Sequence, residues 1–246
     1  MTKIAVQIYE IQDPWEAENM IELGVDHLGS VILNEEDWKV LSIKETVRLT
    51  EGTAAKNSLL LLFNTPDNVF RVLEYYNPHI IHFCETLTNE HGKAIPYTDL
   101  IDIQQSVREK FQHIKIMRSI PIGIAGKQNG VPTLEIAKDF EPVSDYFLTD
   151  TWLGREPVEG FIGITGKTCD WDVARELVRS SSIPVFLAGG MSPENIYEGV
   201  KAVRPFGVDS CTNTNVTTQD GSPIRFKKDF GKVKKFVEEA QRAGWH

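Results

Sequence analysis

Gly163-Ile-Thr-Gly-Lys-Thr-Cys-Asp-Trp171 is followed by Pro184-Val-Phe-Leu-Ala-Gly-Gly190 and then by Gly207-Val-Asp209. The first stretch reads as a glycine-rich loop opening a helix. The second reads as a buried strand ending in a glycine pair. The third reads as a strand running into Ser210, Cys211, Thr212 and Asn213. Neighbouring strand ends rich in Gly and small hydroxyl residues suit an anion, because backbone N–H groups can point at it with no bulky side chain in the way. Gly166, Lys167, Gly189, Gly190, Cys211 and Thr212 are therefore the candidate phosphate-binding residues, and the implied partner is a phosphorylated small molecule.

Outward from these segments, apolar runs of strand length alternate with amphipathic stretches over the whole chain. Predicted strands are 3–9, 26–33, 57–63, 79–84, 114–119, 145–149, 183–188 and 206–210. Predicted helices are 14–23, 42–51, 66–76, 99–112, 132–140, 170–180, 192–203 and 229–243. Eight strands strictly alternating with eight helices predict an α/β fold of the (β/α)8 TIM-barrel type, a single domain over 1–246. Asp13-Pro14, Thr65-Pro66, Val131-Pro132 and Ser192-Pro193 each place Pro at a first helical turn. Thr98-Asp99 opens a helix in the same manner. The longer connections, 86–98, 120–131, 151–169 and 211–228, all follow strands, which is the face where barrel enzymes keep their sites. Within the last, the polar run Thr212–Gly221 reads as a mobile lid or as a plain surface loop, and a short phosphate-site helix is expected within 211–221.

The 246 residues carry 26 Lys and Arg against 35 Asp and Glu, a net charge of −9. That balance argues against nucleic acid or an anionic membrane as partner. Lys232-Val-Lys-Lys235 falls on a predicted helix and reads as a solvated face. Cys84, Cys169 and Cys211 are odd in number and widely spaced, with no metal-type pairing. The opening Met-Thr-Lys-Ile-Ala-Val enters a strand directly, without a leader pattern, and no apolar run approaches ~18 residues. A cytoplasmic protein, monomer or homodimer, is the expectation.

Taken in series, Gly163–Trp171, Phe186-Leu-Ala-Gly-Gly-Met-Ser-Pro-Glu-Asn195 and Val203-Arg-Pro-Phe-Gly-Val-Asp209 resemble the phosphoribosylanthranilate isomerase family. Weaker similarity covers Asp13–Ala17, Gly24–Gly29 and Leu62-Phe-Asn64. The resemblance implies a (β/α)8 barrel that performs an Amadori rearrangement of a phosphoribosyl amine in tryptophan biosynthesis, without metal or organic cofactor. Such chemistry needs an acid to open the ribose ring and a base to take a proton from the neighbouring carbon.

Asp150, at the end of strand six, matches the family's catalytic Asp and is the expected acid; the alternative is a loop cap or salt-bridge partner. The base position departs from the pattern. The family's strand-one Cys corresponds to Tyr9, and Glu10 follows it. A phenol with a free pKa of ~10 is a worse base near neutrality than a thiol at ~8.5, unless a cation lowers it. Alternation places Ala5, Gln7 and Tyr9 on the barrel-facing side and Ile4, Val6 and Ile8 on the other. His82-Phe-Cys-Glu85 ends strand four, so Cys84 is a further catalytic candidate, with a buried structural pair as the alternative; a metal site there is disfavoured for want of a second ligand cluster. Arg118, near the end of strand five, is placed either in the pocket or in a structural ion pair. After strand two, where the resemblance implies an Arg that meets the anthranilate carboxylate, this chain has Asn34-Glu-Glu-Asp-Trp38. Three acids there predict a ligand whose non-phosphate end is neutral or cationic, unless they face solvent. Glu35 and Asn64 complete the candidate substrate contacts. Three functions stand at this point: the family's isomerase, a different phosphosugar enzyme on the same scaffold, and a non-catalytic phosphometabolite binder.

Overall fold

In the computed structural model, which describes residues 3–127 and 130–244, eight parallel strands close into a barrel in the order β1 to β8. They are β1 (Ala5–Ile8), β2 (His27–Ile32), β3 (Lys56–Leu61), β4 (Ile80–Phe83), β5 (Lys115–Ile122), β6 (Tyr146–Thr151), β7 (Val185–Leu187) and β8 (Gly207–Ser210). The covering helices are α1 (Pro14–Glu22), α2 (Leu41–Leu49), α3 (Pro66–Tyr76), α4 (Thr98–Lys110), α5 (Thr133–Phe140), α6 (Trp171–Ser180), α7 (Ile196–Val203) and α8 (Phe230–Ala243). The expected (β/α)8 barrel is present.

The two-residue period of each strand sorts its side chains into two cores. Ile80, Met117, Leu148, Phe186 and Ala188 pack inside the barrel with Ala5 and Tyr146 against them. Ile4, Val6, Ile8, Phe147, Val185, Leu187 and Val208 face outward into the helix layer. The expected facing of β1 is therefore met. Helix starts follow their cap chemistry: the Asp13 carboxylate accepts from Trp15 N and Glu16 N at 2.9 and 3.2 Å, and Asp170 caps α6 in the same way.

Element bounds differ from expectation in three informative places. Helix α7 begins at Ile196 rather than 192, because Ser192-Pro-Glu-Asn195 is a side-chain-stitched turn. Asn195 Oδ1 accepts from Ser192 N at 2.8 Å, and its Nδ2 donates to Gly190 O at 3.0 Å, so these side chains satisfy the backbone locally in place of a helical turn. Strand β1 stops at Ile8, and Glu10 turns the chain with φ 67°. The connection after β8 is not a bare loop. It holds a three-residue 3-10 turn, Thr212–Thr214, and an antiparallel hairpin of β9 (Asn215–Thr217) and β10 (Pro223–Lys228).

Tyr9, just past β1, lies flat across β2. A Cβ on Gly29 would overlap its ring, so the absence of a side chain at Gly29 is what admits the phenol. The Tyr9 hydroxyl thereby reaches Ser58 Oγ on β3 and His82 Nδ1 on β4, each at 2.7 Å. Gly29→Ala is expected to force the ring from this seat and destabilise the protein by about 1–3 kcal/mol. Urea unfolding of the two proteins checks it; an unchanged midpoint would show that the ring has another place to go.

Candidate active site

The strand ends and following loops enclose a cleft of about 790 Å3, its open mouth included. Its wall has two chemically distinct parts. Val31, Leu60, Leu62, Val158, Phe161 and Ile162 are its apolar part. Gly166, Gly189, Gly190, Cys211, Thr212 and Asn213, its small and polar part, converge from the loops after β6, β7 and β8. Gly189 and Gly190 take successive positive φ values of 85° and 65°, a path that side-chain-bearing residues rarely follow. The chain around Gly190 is fixed by its carbonyl, which accepts from Asn195 Nδ2 and Asn213 Nδ2, both at 3.0 Å. A concave main-chain surface of small residues results, fit for an anion.

Asp150 and Asp209 line the same cleft from β6 and β8. Asp150 is half-buried. Its Oδ1 accepts from Thr151 N at 3.1 Å, and its Oδ2 accepts from Ser119 Oγ at 3.4 Å. Burial, and then the charge of Asp209, push its pKa up to about 7. Asp209 is buried and accepts from Gln7 Nε2 at 3.1 Å. Burial also raises Asp209 to about 7, opposed by the Gln7 hydrogen bond and by Lys228. Two carboxyl groups that repel each other in one desolvated cleft do not both ionise readily near neutrality.

The family model for N-(5'-phosphoribosyl)anthranilate (PRA) isomerase matches residues 99–239, more than half of the chain. The chain belongs to the phosphoribosylanthranilate isomerase family. A relative of that name from Methanocella arvoryzae is 31% identical over 156 residues, 63% of this chain and 62% of its own length. Its namesake from Methanosarcina acetivorans is 26% identical over 245 residues, 97% of this chain and 94% of its own. The solved phosphoribosylanthranilate isomerase of Thermotoga maritima superposes with a TM-score of 0.68 at 21% identity, covering 97% and 99% of the two chains. Another, solved in complex with reduced 1-(o-carboxyphenylamino)-1-deoxyribulose 5-phosphate, gives a TM-score of 0.66 at 18% identity, with the same coverage.

Within this family frame, the residues singled out from sequence separate into three groups. Asp150, Gly166, Gly189, Gly190, Cys211 and Thr212 all line the cleft. Tyr9, Glu10 and Cys84 line it too, but their functional groups are engaged or neutral. Burial pushes the Tyr9 phenol well above its ordinary range, and its hydroxyl is shared between Ser58 and His82. Burial likewise raises Cys84, which packs on Trp152 and Ile162. Burial alone would raise Glu10, but hydrogen bonding from Asn215 and the charge of Lys228, with Phe226 N–H and Arg225, hold it below its usual range.

Lys167, Asn64, Glu35 and Arg118 do not line the cleft. Lys167 is exposed; its carbonyl accepts from Thr151 Oγ1 at 2.6 Å. Asn64 is half-buried. Glu35 accepts from Thr65 Oγ1 at 2.7 Å, and Asn34, Glu36 and Asp37 are exposed. The expectation of a neutral or cationic ligand end rested on those acids facing the site, and they do not. Arg118 is fully buried, paired with Glu85 and stacked 4.5 Å over the Phe140 ring of α5. Strand parity explains this: Met117 and Ser119 point into the barrel, so Arg118 points into the helix layer. Glu85 turns with it, away from His82 and Cys84, and among the described residues no cluster of three or more His, Cys, Asp or Glu is gathered for a metal.

Sequence reasoning missed Asp209, Ser119 and Arg225. Asp209 stood inside a recognised segment, and its place at the end of a barrel strand was the available signal. Ser119 was recoverable from the parity that excludes Arg118.

The raised pKa of Asp150 has a consequence for stability. In the unfolded chain this group ionises near ~3.8, whereas in the folded protein it keeps its proton up to about 7. The native state binds the extra proton between those values, so stability declines as pH rises through that window. Asp150→Asn removes the part of the decline that Asp150 contributes. Its melting temperature should exceed the parent's by a few degrees at pH 8, and the gap should close towards pH 4. Melts at the two pH values that show a constant gap would contradict the assignment.

Proposed function

We propose that this chain isomerises N-(5'-phosphoribosyl)anthranilate by an Amadori rearrangement in tryptophan biosynthesis, with Asp150 as general acid and Asp209 as general base. The reading is carried by one observation: two desolvated carboxyl groups, Asp150 half-buried and Asp209 buried, share a cleft with a glycine-lined anion cradle. Both carboxyl groups are raised to about 7; the family resemblance makes Asp150 the acid, which leaves Asp209 as the base.

The steps follow from that assignment. The phosphate sits on the main chain around Gly166, Gly189, Gly190 and Thr212. Asp150 gives its proton to the ribose ring oxygen. The bond from that oxygen to C1 breaks as the amine nitrogen lone pair forms a C=N bond, leaving an iminium. Asp209 takes the proton from C2, the C–H electron pair becomes the C1=C2 bond, and the C=N π pair returns to nitrogen, giving a neutral enolamine. Tautomerisation places a proton on C1 and leaves the ketone at C2. The substrate has received one proton and given one up, so the carboxyl pair ends with one proton, as it began. No cofactor enters the sequence.

Tyr9 stands where the family has its Cys, and in this reading it is not the base. Its hydroxyl is committed to Ser58 and His82, and a buried phenol gives up its proton only with difficulty. Its role is to floor the cleft. Burial, with the charge of Arg118, lowers His82 to about 3, so His82 is a neutral bridge between Tyr9 Oη and Ser119 Oγ.

Expression of the chain in a strain lacking the tryptophan-pathway isomerase should restore growth without tryptophan. Asp150→Asn and Asp209→Asn should each lower kcat by about 10²–10⁴. The kcat/KM profile should be bell-shaped around pH 7, falling in acid as Asp209 is protonated and in base as Asp150 is ionised. Full activity in Asp209→Asn would move the base elsewhere, and growth that never returns would reject the isomerase reading.

A further inference from the structure

The charged residues lining the cleft are Glu10, Asp150, Asp209 and Arg225, so Arg225 is the only cation among the described residues there. It is not supplied by a barrel strand. It sits on β10, in the hairpin that follows β8. That hairpin is fastened to the opposite side of the sequence by Glu10, at the end of β1. Glu10 Oε1 accepts from Arg225 Nε at 2.7 Å, while Oε2 accepts from Asn215 Nδ2 at 3.0 Å and from Phe226 N at 3.1 Å. Farther along, Lys228 N donates to Glu16 Oε1 at 2.7 Å. Glu10 is 1% exposed and held in the left-handed region at φ 67°, a backbone cost that persists only where the surroundings impose it.

The anchoring leaves the business end of Arg225 available. Nε is the one guanidinium atom with a hydrogen-bond partner among the described residues. The side chain is 40% exposed, and its guanidinium plane stacks on Phe226 at 4.7 Å. The two Nη groups form a planar fork of the kind that meets a carboxylate in bidentate fashion. The same cleft is lined by the apolar side chains of Val31, Leu60 and Leu62, which an aromatic ring can cover. The glycines of the anion cradle come from the loops after β6 and β7, and the β8–α8 connection that supplies Cys211, Thr212 and Asn213 to the cradle also carries Arg225.

From this arrangement we infer that Arg225 is the specificity-determining residue for the carboxylate on the aromatic end of the substrate. The inference rests on the proposed isomerase reading. It has one additional content: recognition of the second anion has its source in the β9–β10 hairpin, on an arm held by Glu10, and not in the acidic segment after β2.

Two probes separate the carboxylate from the phosphate. One is reduced 1-(o-carboxyphenylamino)-1-deoxyribulose 5-phosphate, and the other is its phenylamino counterpart without the carboxyl group. Calorimetry on the full chain should show tighter binding of the carboxylated probe. Arg225→Ala should weaken that probe by about 10- to 100-fold and leave the other within about twofold, erasing the preference. Arg225→Lys should retain part of it, since a point charge replaces a fork. In turnover, Arg225→Ala should raise KM far more than it lowers kcat. Arg225→Gln, which keeps the length of the side chain on the hairpin, guards against a folding defect and should behave like the Ala variant. Equal weakening of both probes would place Arg225 on the phosphate and overturn the inference, as would unchanged binding of both. A parent protein without isomerase turnover would reject the underlying reading, an outcome distinct from an active parent whose Arg225 variants match it.

Discussion

The parallel ladder between β1 and β8 is the constraint on which the cleft depends. Ala5 pairs with Gly207, Val6 with Val208, Gln7 with Asp209 and Ile8 with Ser210. Residues some two hundred positions apart in the chain are thereby set side by side. Gln7 meets Asp209 directly, and the chain beyond Ile8 emerges beside the chain beyond Ser210. Glu10 and the β9–β10 hairpin can then find each other. Without that closure the strand ends would fan out as an open sheet, and the carboxyl groups from β6 and β8 and the arm from β10 would have no common volume to face.

Within that volume the physics is that of charge in a small, desolvated space. Asp150 and Asp209 are each driven towards neutrality by burial, and the charge of Asp209 drives Asp150 further. Glu10 lies close by in the same wall yet has the opposite fate. Donors from Asn215, Phe226 and Arg225 satisfy its lone pairs, so it stays ionised and structural. Burial, neighbouring charge and hydrogen bonding thus set three carboxyl groups of one cleft apart: Asp150 and Asp209 are raised, and Glu10 is lowered with its oxygens committed to the hairpin.

Several pieces of the site were legible from residue order. The glycine pair at 189–190, the strand-end Asp150 and the small residues at 211–212 each have a local signature, because strand ends and φ-positive turns are written in short stretches of sequence. Arg118 was misread for an equally local reason. It was placed by its position along β5 rather than by the face it occupies, and one residue of parity separates a side chain in the barrel from one against Phe140. Glu35 drew attention through its charge, yet it bonds to Thr65 outside the cleft. Arg225 drew none, since one basic residue of Ile224-Arg-Phe-Lys-Lys228 carries no local mark of a site.

The amino-acid sequence by itself determined the alternation of strands and helices, the barrel they close into, the facing of β1 and the family resemblance. These depend on hydrophobic period and short motifs, which are properties of neighbouring residues. The tertiary structure alone decided which charged groups share the cleft. Asp209 couples to Asp150 across an intervening strand, Tyr9 spends its hydroxyl on Ser58 and His82 over the bare backbone of Gly29, and Glu10 reaches across to Arg225. Those outcomes are set by burial and by distances across the barrel, and a linear chain carries neither until it has closed.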